Sequence, residues 1–286
     1  MIVDAHVHLF PPEFARDRAA LAARDPWFDL TYGAGTGYAA RMATVEELVA
    51  AVDEAGIDRV VACGWPWRDS AICRAHNDYL LDAQGRHPDR LRVLAIASPL
   101  DTRAAVREAE RCLDAGAAGL GELNADAQGF DFAAPGALAP VVAVLRERGR
   151  PALVHVSEPV GHAYAGKGTA TPDRLLPFLL AYPELRVVAA HWGGGLPFYE
   201  LMPEVAEATR NLWYDSAAST YLYRFDVFPS VAALAGPLRI LWGTDWPLLR
   251  QAPFLRRTRA CGLDEHALAA ILADNALRLY WGEERA

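Results

Sequence analysis

Short apolar runs alternate with longer amphipathic segments along the whole chain. Eight apolar runs predict strands, over residues 2–8, 57–63, 91–97, 118–123, 152–156, 185–191, 212–215 and 238–243. Each run is a compact apolar block rather than a strict alternation, which is typical of parallel strands that are buried on both faces.

The segments between these runs place apolar residues at three- and four-residue spacing, which predicts helices. Thr44 followed by Glu47 is a capping-box pattern, so we expect a helix over 44–55. Further helices are predicted over 69–84, 102–115, 137–148, 172–181, 196–208, 231–235 and 263–280. The segment 10–41 has no clear period, and we expect it to form a long, functional loop.

Eight strand and helix units in succession predict an α/β fold of the (β/α)8 TIM-barrel type. A doubly wound open sheet is the alternative, and it would need a point at which the strand order reverses. No stretch resembles an interdomain linker, so we expect residues 1–286 to form a single domain.

Composition and charge exclude several classes of protein. The 286 residues are 52% hydrophobic with a formal net charge of −8, which argues against disorder and against a nucleic-acid partner. No apolar run approaches the roughly 20 residues of a membrane helix. Four scattered cysteines and an amino terminus without a signal-peptide pattern favour a cytoplasmic location.

Histidines and acidic residues follow several of the predicted strands. The first strand ends in His6 and His8, whose side chains point the same way because they are two residues apart. Later strands end at Glu122, His155, His191 and Asp245. Any of them alone could be a core histidine or a helix cap, but the carboxyl ends of barrel strands meet at one mouth. Together they predict a divalent-metal site, with Zn²⁺ as the default ion.

Three motifs resemble those of the amidohydrolase superfamily. They are the opening IVDAHVHLF, the AAHWGGG of the sixth predicted strand and the LWGTDWPL of the eighth. They look like the amidohydrolase-related branch, which includes hydrolases and decarboxylases similar to aminocarboxymuconate-semialdehyde decarboxylase. The terminal DNALRLY is similar as well, and the resemblance spans residues 4–280.

This resemblance implies roles for the strand-end residues. His6, His8, His155 and Asp245 would hold the metal, His191 would be the general acid or base, and Asp245 would also orient the attacking water or relay a proton. Relatives with two metals often use a lysine on the fourth strand, which this chain lacks. Other relatives use a glutamate there, so Glu122 could bridge two ions or instead support a metal-bound histidine. We favour one ion, with two as the alternative.

Three residues are candidates for binding substrate. Lys167, the only lysine beside 27 arginines, follows the fifth strand and could pair with an anionic group, although a solvated loop lysine is the alternative. Arg224 is a second candidate for binding an anion. Trp192 belongs to a set of aromatic residues that could stack on substrate, although packing onto the barrel is the commoner outcome.

The sequence thus predicts a metal-dependent enzyme acting on a small molecule, which could be anionic. We expect hydrolysis of a lactone, ester or amide through a metal-activated water. The alternative is non-oxidative decarboxylation of a small aromatic or enol-type acid. A homodimer is compatible with the Trp- and Pro-rich loops but is not required by them.

Overall fold

The computed structural model describes residues 1–34 and 40–283 of the chain. In these residues eight parallel strands pair in sequence order, from β1 to β8, as the repeating pattern predicts. The strands are β1 (Val3–His8), β2 (Arg59–Cys63), β3 (Leu91–Ala95), β4 (Gly119–Leu123), β5 (Ala152–Val154), β6 (Val187–Ala189), β7 (Leu212–Asp215) and β8 (Ile240–Leu241). Strand order does not reverse, so the open-sheet alternative is wrong.

The barrel closes where the last strand meets the first. The amide of Ala5 donates to the carbonyl of Trp242 at 2.8 Å, and the amide of His8 donates to Trp246 at 2.7 Å. The amide of Asp245 donates to the carbonyl of His6 at 2.9 Å. These bonds bring the ends of β1 and β8 together, and with them His6, His8 and Asp245.

Helices surround the barrel and fill its loops. The α-helices are α1 (Pro12–Arg16), α2 (Arg18–Arg24), α3 (Pro26–Tyr32), α4 (Val45–Ala55), α5 (Ser70–Arg86), α6 (Thr102–Asp114), α7 (Ala125–Gln128), α8 (Ala139–Glu147), α9 (Pro172–Ala181), α10 (Pro203–Ala208), α11 (Ser219–Leu222), α12 (Val227–Ala235), α13 (Gln251–Arg259) and α14 (Glu265–Ala269). Short 3₁₀ segments cover Pro135–Leu138, His191–Tyr199 and Pro237–Arg239, and π-helical segments cover Ala270–Asp274 and Leu277–Trp281.

Several predicted helices agree closely with these bounds. The capping box is confirmed, because the Thr44 hydroxyl accepts from the Glu47 amide and the Glu47 carboxylate accepts from the Thr44 amide. The segment 10–41 differs from its prediction, since α1 to α3 lie within it. Two of these helices have proline in the first turn, and all three are too short for a period to be visible. Residues 35–39 of this segment lie outside the described residues.

The core has two parts. Side chains between the strands and the outer helices form the larger part. A second cluster lies within the barrel and includes Val61, Leu94 and Leu153 together with Leu277 and Tyr280 of the terminal π-helical segments. The chain end therefore packs against the barrel interior and leaves the opposite end, at the strand carboxyl termini, for a polar site. None of the described helices is both long and apolar enough to cross a membrane.

Candidate metal centre

His6 and His8 form the floor of the polar site at the end of β1. Both side chains are buried, and their Nε2 atoms are 3.2 Å apart. The Nδ1 atom of His6 lies 2.8 Å from the carboxylate of Asp215, at the end of β7. The Nδ1 atom of His8 lies 3.3 Å from the carbonyl of Gly64. These contacts direct both Nε2 atoms towards one point.

Two carboxylates face the same point. Asp245 Oδ1 lies 3.2 Å from His8 Nε2 and 4.0 Å from His6 Nε2. Glu122 Oε2 lies 3.8 Å from His8 Nε2 and 4.0 Å from His6 Nε2. Ligands held about 2.0–2.2 Å from one tetrahedral ion lie roughly 3.3–3.6 Å from one another. The separations of 3.2 to 4.0 Å bracket this range, so small shifts of the side chains would allow these donors to share a cation.

His155 and His191 lie on the other side of Glu122. The Nδ1 atom of His155 is 2.9 Å from Glu122 Oε1, and the Nε2 atom of His191 is 3.5 Å from the same oxygen. The ligand atoms of these three residues lie within 4.8 Å of one another. Glu122 thus faces His6 and His8 with one oxygen and His155 and His191 with the other, a position compatible with one ion or with a bridged pair.

The electrostatics of the cluster favour positive charge. Burial lowers the pKa of His6, but the Asp215 carboxylate and Cys63 together outweigh this effect and raise that pKa well above its usual value. Burial lowers the pKa of His191 as well, but Glu122 raises it to about 9. Burial raises the pKa of Glu122, but the neighbouring histidines, His155 first, hold it well below its usual range. Such surroundings suit a divalent cation bound to carboxylates and neutral imidazoles.

Two of the site residues have left-handed backbone conformations. His191 has φ 57° and Asp245 has φ 66°, a region that residues other than glycine adopt rarely. The turn after His191 stays left-handed through Gly195. A Cβ atom on Gly194 would lie 2.3 Å from the carbonyl oxygen of Ser157, so only glycine fits. The glycines therefore serve a tight turn that holds His191 at the mouth.

A cavity of about 540 Å³ opens above these side chains. His8, Glu122, His155, His191 and Asp245 line its base. Its walls carry the aromatic residues Trp27, Tyr32, Trp65, Tyr164 and Tyr221, the loop residue His162 and the cationic residue Arg41. Its volume suits a small organic molecule.

The three predicted substrate-binding residues lie elsewhere. Lys167 donates to the carbonyls of Val160 and His162, at 2.7 and 3.1 Å, and so closes its own loop. Arg224 is exposed and pairs with Asp226 at 3.1 Å. None of the three is among the described residues that line the cavity.

Trp192 lies in the core rather than at the mouth. Its side chain is fully buried and donates from Nε1 to the Ser219 hydroxyl at 2.8 Å. Its ring packs edge-on against Phe228, with centroids 4.9 Å apart. The left-handed backbone at Trp192 (φ 59°) accompanies this inward position. A substrate-binding role for it would need a movement of the core.

Asp215 and Arg41 lie at this site but were not among the residues predicted from the sequence. Besides meeting His6, Asp215 accepts from the amide of His191 at 3.0 Å and thereby joins two site residues. Asp215 could have been identified from the sequence, because it is the last residue of the seventh predicted strand. The other candidate site residues were recognised from their positions at strand ends. Arg41 had no such signal, because it follows an aperiodic segment.

Solved structures with the same fold include decarboxylases and a hydrolase. A 5-carboxyvanillate decarboxylase from Sphingomonas paucimobilis matches with a TM-score of 0.83 and 18% identity, covering 98% of both chains. A dihydroxybenzoic acid decarboxylase from Polaromonas sp. JS666, with bound manganese and the inhibitor 2-nitroresorcinol, matches with a TM-score of 0.76 and 19% identity, over 98% of this chain and 96% of the other. A probable 2-pyrone-4,6-dicarboxylic acid hydrolase from Acinetobacter baumannii matches with a TM-score of 0.62 and 18% identity, over 98% and 99%.

At these identities the structural matches show the fold alone. No curated protein matches the sequence. The sequence model of the amidohydrolase family, however, matches residues 3–281, nearly the whole chain and every strand of the barrel. The resemblance carried by the motifs at β1, β6 and β8 is thereby confirmed, and the chain belongs to the amidohydrolase family.

Proposed function

We propose that this protein is a metal-dependent, non-oxidative decarboxylase of a small aromatic acid. The observation that carries the proposal is the cluster of His6, His8, Asp245 and Glu122 at the base of a cavity with aromatic walls and one arginine. Of the two activities considered from the sequence, decarboxylation also has more support among proteins of the same fold.

The metal ligands we propose are His6, His8 and Asp245, with Glu122 as a fourth ligand. His155 contacts Glu122 from the other side and could complete the set or orient the carboxylate. The expected ion is Zn²⁺, and the manganese in the Polaromonas enzyme makes Mn²⁺ the second candidate. When bound, the cation would polarise the substrate's oxygen atoms and neutralise negative charge.

His191 is the residue we assign to proton transfer. Decarboxylation breaks the bond between the ring carbon and the carboxylate, leaves the electron pair on the ring carbon and needs a proton there. The Nδ1 atom of His191 lies 3.3 Å from the carbonyl of Ala217, so this nitrogen would donate inward. The Nε2 atom then lies 3.5 Å from Glu122 Oε1 at the base of the cavity, where it can hold the proton that the ring carbon receives.

The walls of the cavity fit an aromatic anion. Trp65 and Tyr32 already contact each other edge to face, with centroids 5.2 Å apart, and both rings line the cavity. A flat ring can pack against such surfaces. Arg41 lines the cavity, and its guanidinium lies 5.8 Å from the Trp246 ring centroid and pairs with the Glu47 carboxylate. It is more than half exposed, so it is the cation that can turn from Glu47 to a further anionic group of the substrate.

The two activities differ in what they release. The metal-loaded enzyme should be incubated with hydroxybenzoic acids and, in parallel, with small lactones and esters. We expect carbon dioxide from an acid and, in D₂O, one deuterium on the ring carbon that carried the carboxylate. Hydrolysis of a lactone or ester without carbon dioxide release would overturn the proposal in favour of the hydrolase.

A further inference from the structure

Four arginines lie at the barrel end opposite the metal centre. Arg59 is the first residue of β2 and Arg92 the second residue of β3. Arg150 comes two residues before β5, and Arg186 directly precedes β6. Because parallel strands begin at the same end of a barrel, these cations share one rim, which we call the arginine rim. The arginine rim has no role in the proposed decarboxylation.

Trp281 lies between two of these arginines. The guanidinium carbons of Arg59 and Arg92 are 5.3 and 5.2 Å from the centroid of its ring. The indole ring therefore holds these two guanidinium groups close together through cation–π contacts.

Among the residues that the structure describes, the rim holds more positive than negative charge. Arg59 pairs with Glu283 at 2.8 Å, whereas in the described part of the chain no carboxylate lies within ion-pair distance of Arg92, Arg150 or Arg186. Other half-buried arginines do have such partners, as Arg239 has Glu200.

Burial and like charge act together on the rim. Burial lowers the pKa of Arg92, and Arg59 and Arg150 lower it further, while Glu283 and Asp89 offset part of the effect. Burial and Arg150 lower the pKa of Arg186. Cations that are close together and partly removed from water are unfavourable unless a negative group joins them.

Space is available beside two of these arginines. Arg150 and Arg186 line an open recess of about 450 Å³. The recess also contains Glu184 and Glu147, but each of these lies near another arginine: Glu184 is 2.6 Å from Arg146, and Glu147 is 3.7 Å from Arg148. Arg150 and Arg186 therefore have no carboxylate partner within the described ranges, although two glutamates lie in the same recess.

We propose that the arginine rim binds a small oxyanion of two or more negative charges, such as phosphate, free or carried by a metabolite. Guanidinium groups match the oxygen spacing of phosphate and bind it through paired N–H donors. This site goes beyond the proposed decarboxylase, and its test needs no turnover.

The test measures the binding of inorganic phosphate and of glycerol phosphate to the metal-loaded protein by calorimetry, with chloride at matched ionic strength as the reference. We expect saturable binding of phosphate and no equivalent response to chloride. Arg92→Gln and Arg150→Gln should each weaken binding at least tenfold. Stronger binding of glycerol phosphate would identify a metabolite-borne phosphate as the ligand.

Arg103→Gln is the matched control, since it removes one exposed arginine of α6 away from the rim. It should bind phosphate as the parent does. Phosphate bound at the metal centre would survive Arg92→Gln and Arg150→Gln alike, so unchanged binding in both variants overturns the proposal. An equal response to chloride and phosphate also overturns it, because general screening would then explain the effect.

Discussion

The carboxylate of Asp215 lies 2.8 Å from Nδ1 of His6, and both side chains are completely buried. This contact orients the His6 imidazole so that its Nε2 atom faces His8, Asp245 and Glu122. The second oxygen of Asp215 accepts from the amides of His191 and Ala217, both at 3.0 Å. One carboxylate therefore orients a candidate ligand and the candidate proton donor together.

Asp215→Asn should lower the affinity for the metal by about 10- to 100-fold, the usual effect of removing a partner of a metal-bound histidine. The amide has one acceptor oxygen, so it cannot serve both His6 and the two backbone amides. Metal affinity measured against a competing chelator checks this. Asp226→Asn removes the same charge from an exposed position and should leave the affinity unchanged. Equal affinities in the parent and the Asp215 variant would contradict the role.

Purified protein should contain one divalent ion per chain, and the double variant His6→Ala/His8→Ala should contain almost none. The reason is that both Nε2 atoms face the point shared with Asp245 and Glu122. Elemental analysis measures both quantities. Two ions per chain would show instead that Glu122 bridges a pair, with His155 and His191 holding the second ion. Full metal content in the double variant would remove the assignment altogether.

His191→Asn should keep the metal and reduce turnover by roughly 100-fold or more, because the proton donor is lost while the ligands remain. Metal content and kcat should be measured on the same preparation. His162→Asn is the control, since His162 lines the same cavity from an exposed loop. If His191→Asn loses the metal, His191 is a ligand and another group must supply the proton.

Strand order and most of the candidate site could be predicted because both follow from position along a repeating pattern. Each β/α unit repeats the same apolar block, and any polar residue that ends a block must lie at the mouth of the barrel. His6, His8, Glu122 and Asp245 were found in this way. The contact between Asp215 and His6 joins residues that are 209 positions apart, and no local pattern encodes it.

The side chains on the cavity walls could not be predicted because their direction depends on backbone conformations that the sequence pattern does not reveal. Trp192 turns inward on a left-handed backbone, and Lys167 folds back on the carbonyls of its own loop. Arg41 reaches the cavity from a segment whose helices are too short to show a period. Loop side chains are placed by tertiary contacts, and periodicity does not report these.

Arg41→Gln should raise KM for an anionic substrate about tenfold and change kcat little, because a contact made equally in the ground state and transition state acts on binding. Added salt should reduce the difference, since the Arg41 side chain is more than half exposed. Lys167→Met is the comparison, and steady-state kinetics measure both variants. A larger increase in KM for Lys167→Met would return the anion-binding role to Lys167, as the sequence predicted.

His76 lies in a position that should make the fold sensitive to acid. Its buried ring accepts from the Trp67 indole at Nδ1, at 2.9 Å, and donates from Nε2 to the carbonyl of Leu9 at 2.7 Å. Both nitrogens are therefore used by the neutral ring. Burial lowers the pKa of His76 to about 3.

The unfolded chain binds this proton near pH 6.5, well before the folded protein does. The stability that neutral His76 contributes is therefore complete above pH 6.5 and is lost as the pH falls towards 3. The loss is about 1.4 kcal/mol per pH unit, or about 2 kcal/mol between pH 7 and pH 5.

His76→Gln should be less stable at pH 7, yet its free energy of unfolding should fall less between pH 7 and pH 5. Urea unfolding at pH 7, 6 and 5 measures how the free energy of unfolding changes with pH in the parent and in His76→Gln. His266 is exposed, so His266→Gln is the control and should show the same pH dependence as the parent. Equal slopes for the parent and His76→Gln would show that other groups cause the acid sensitivity.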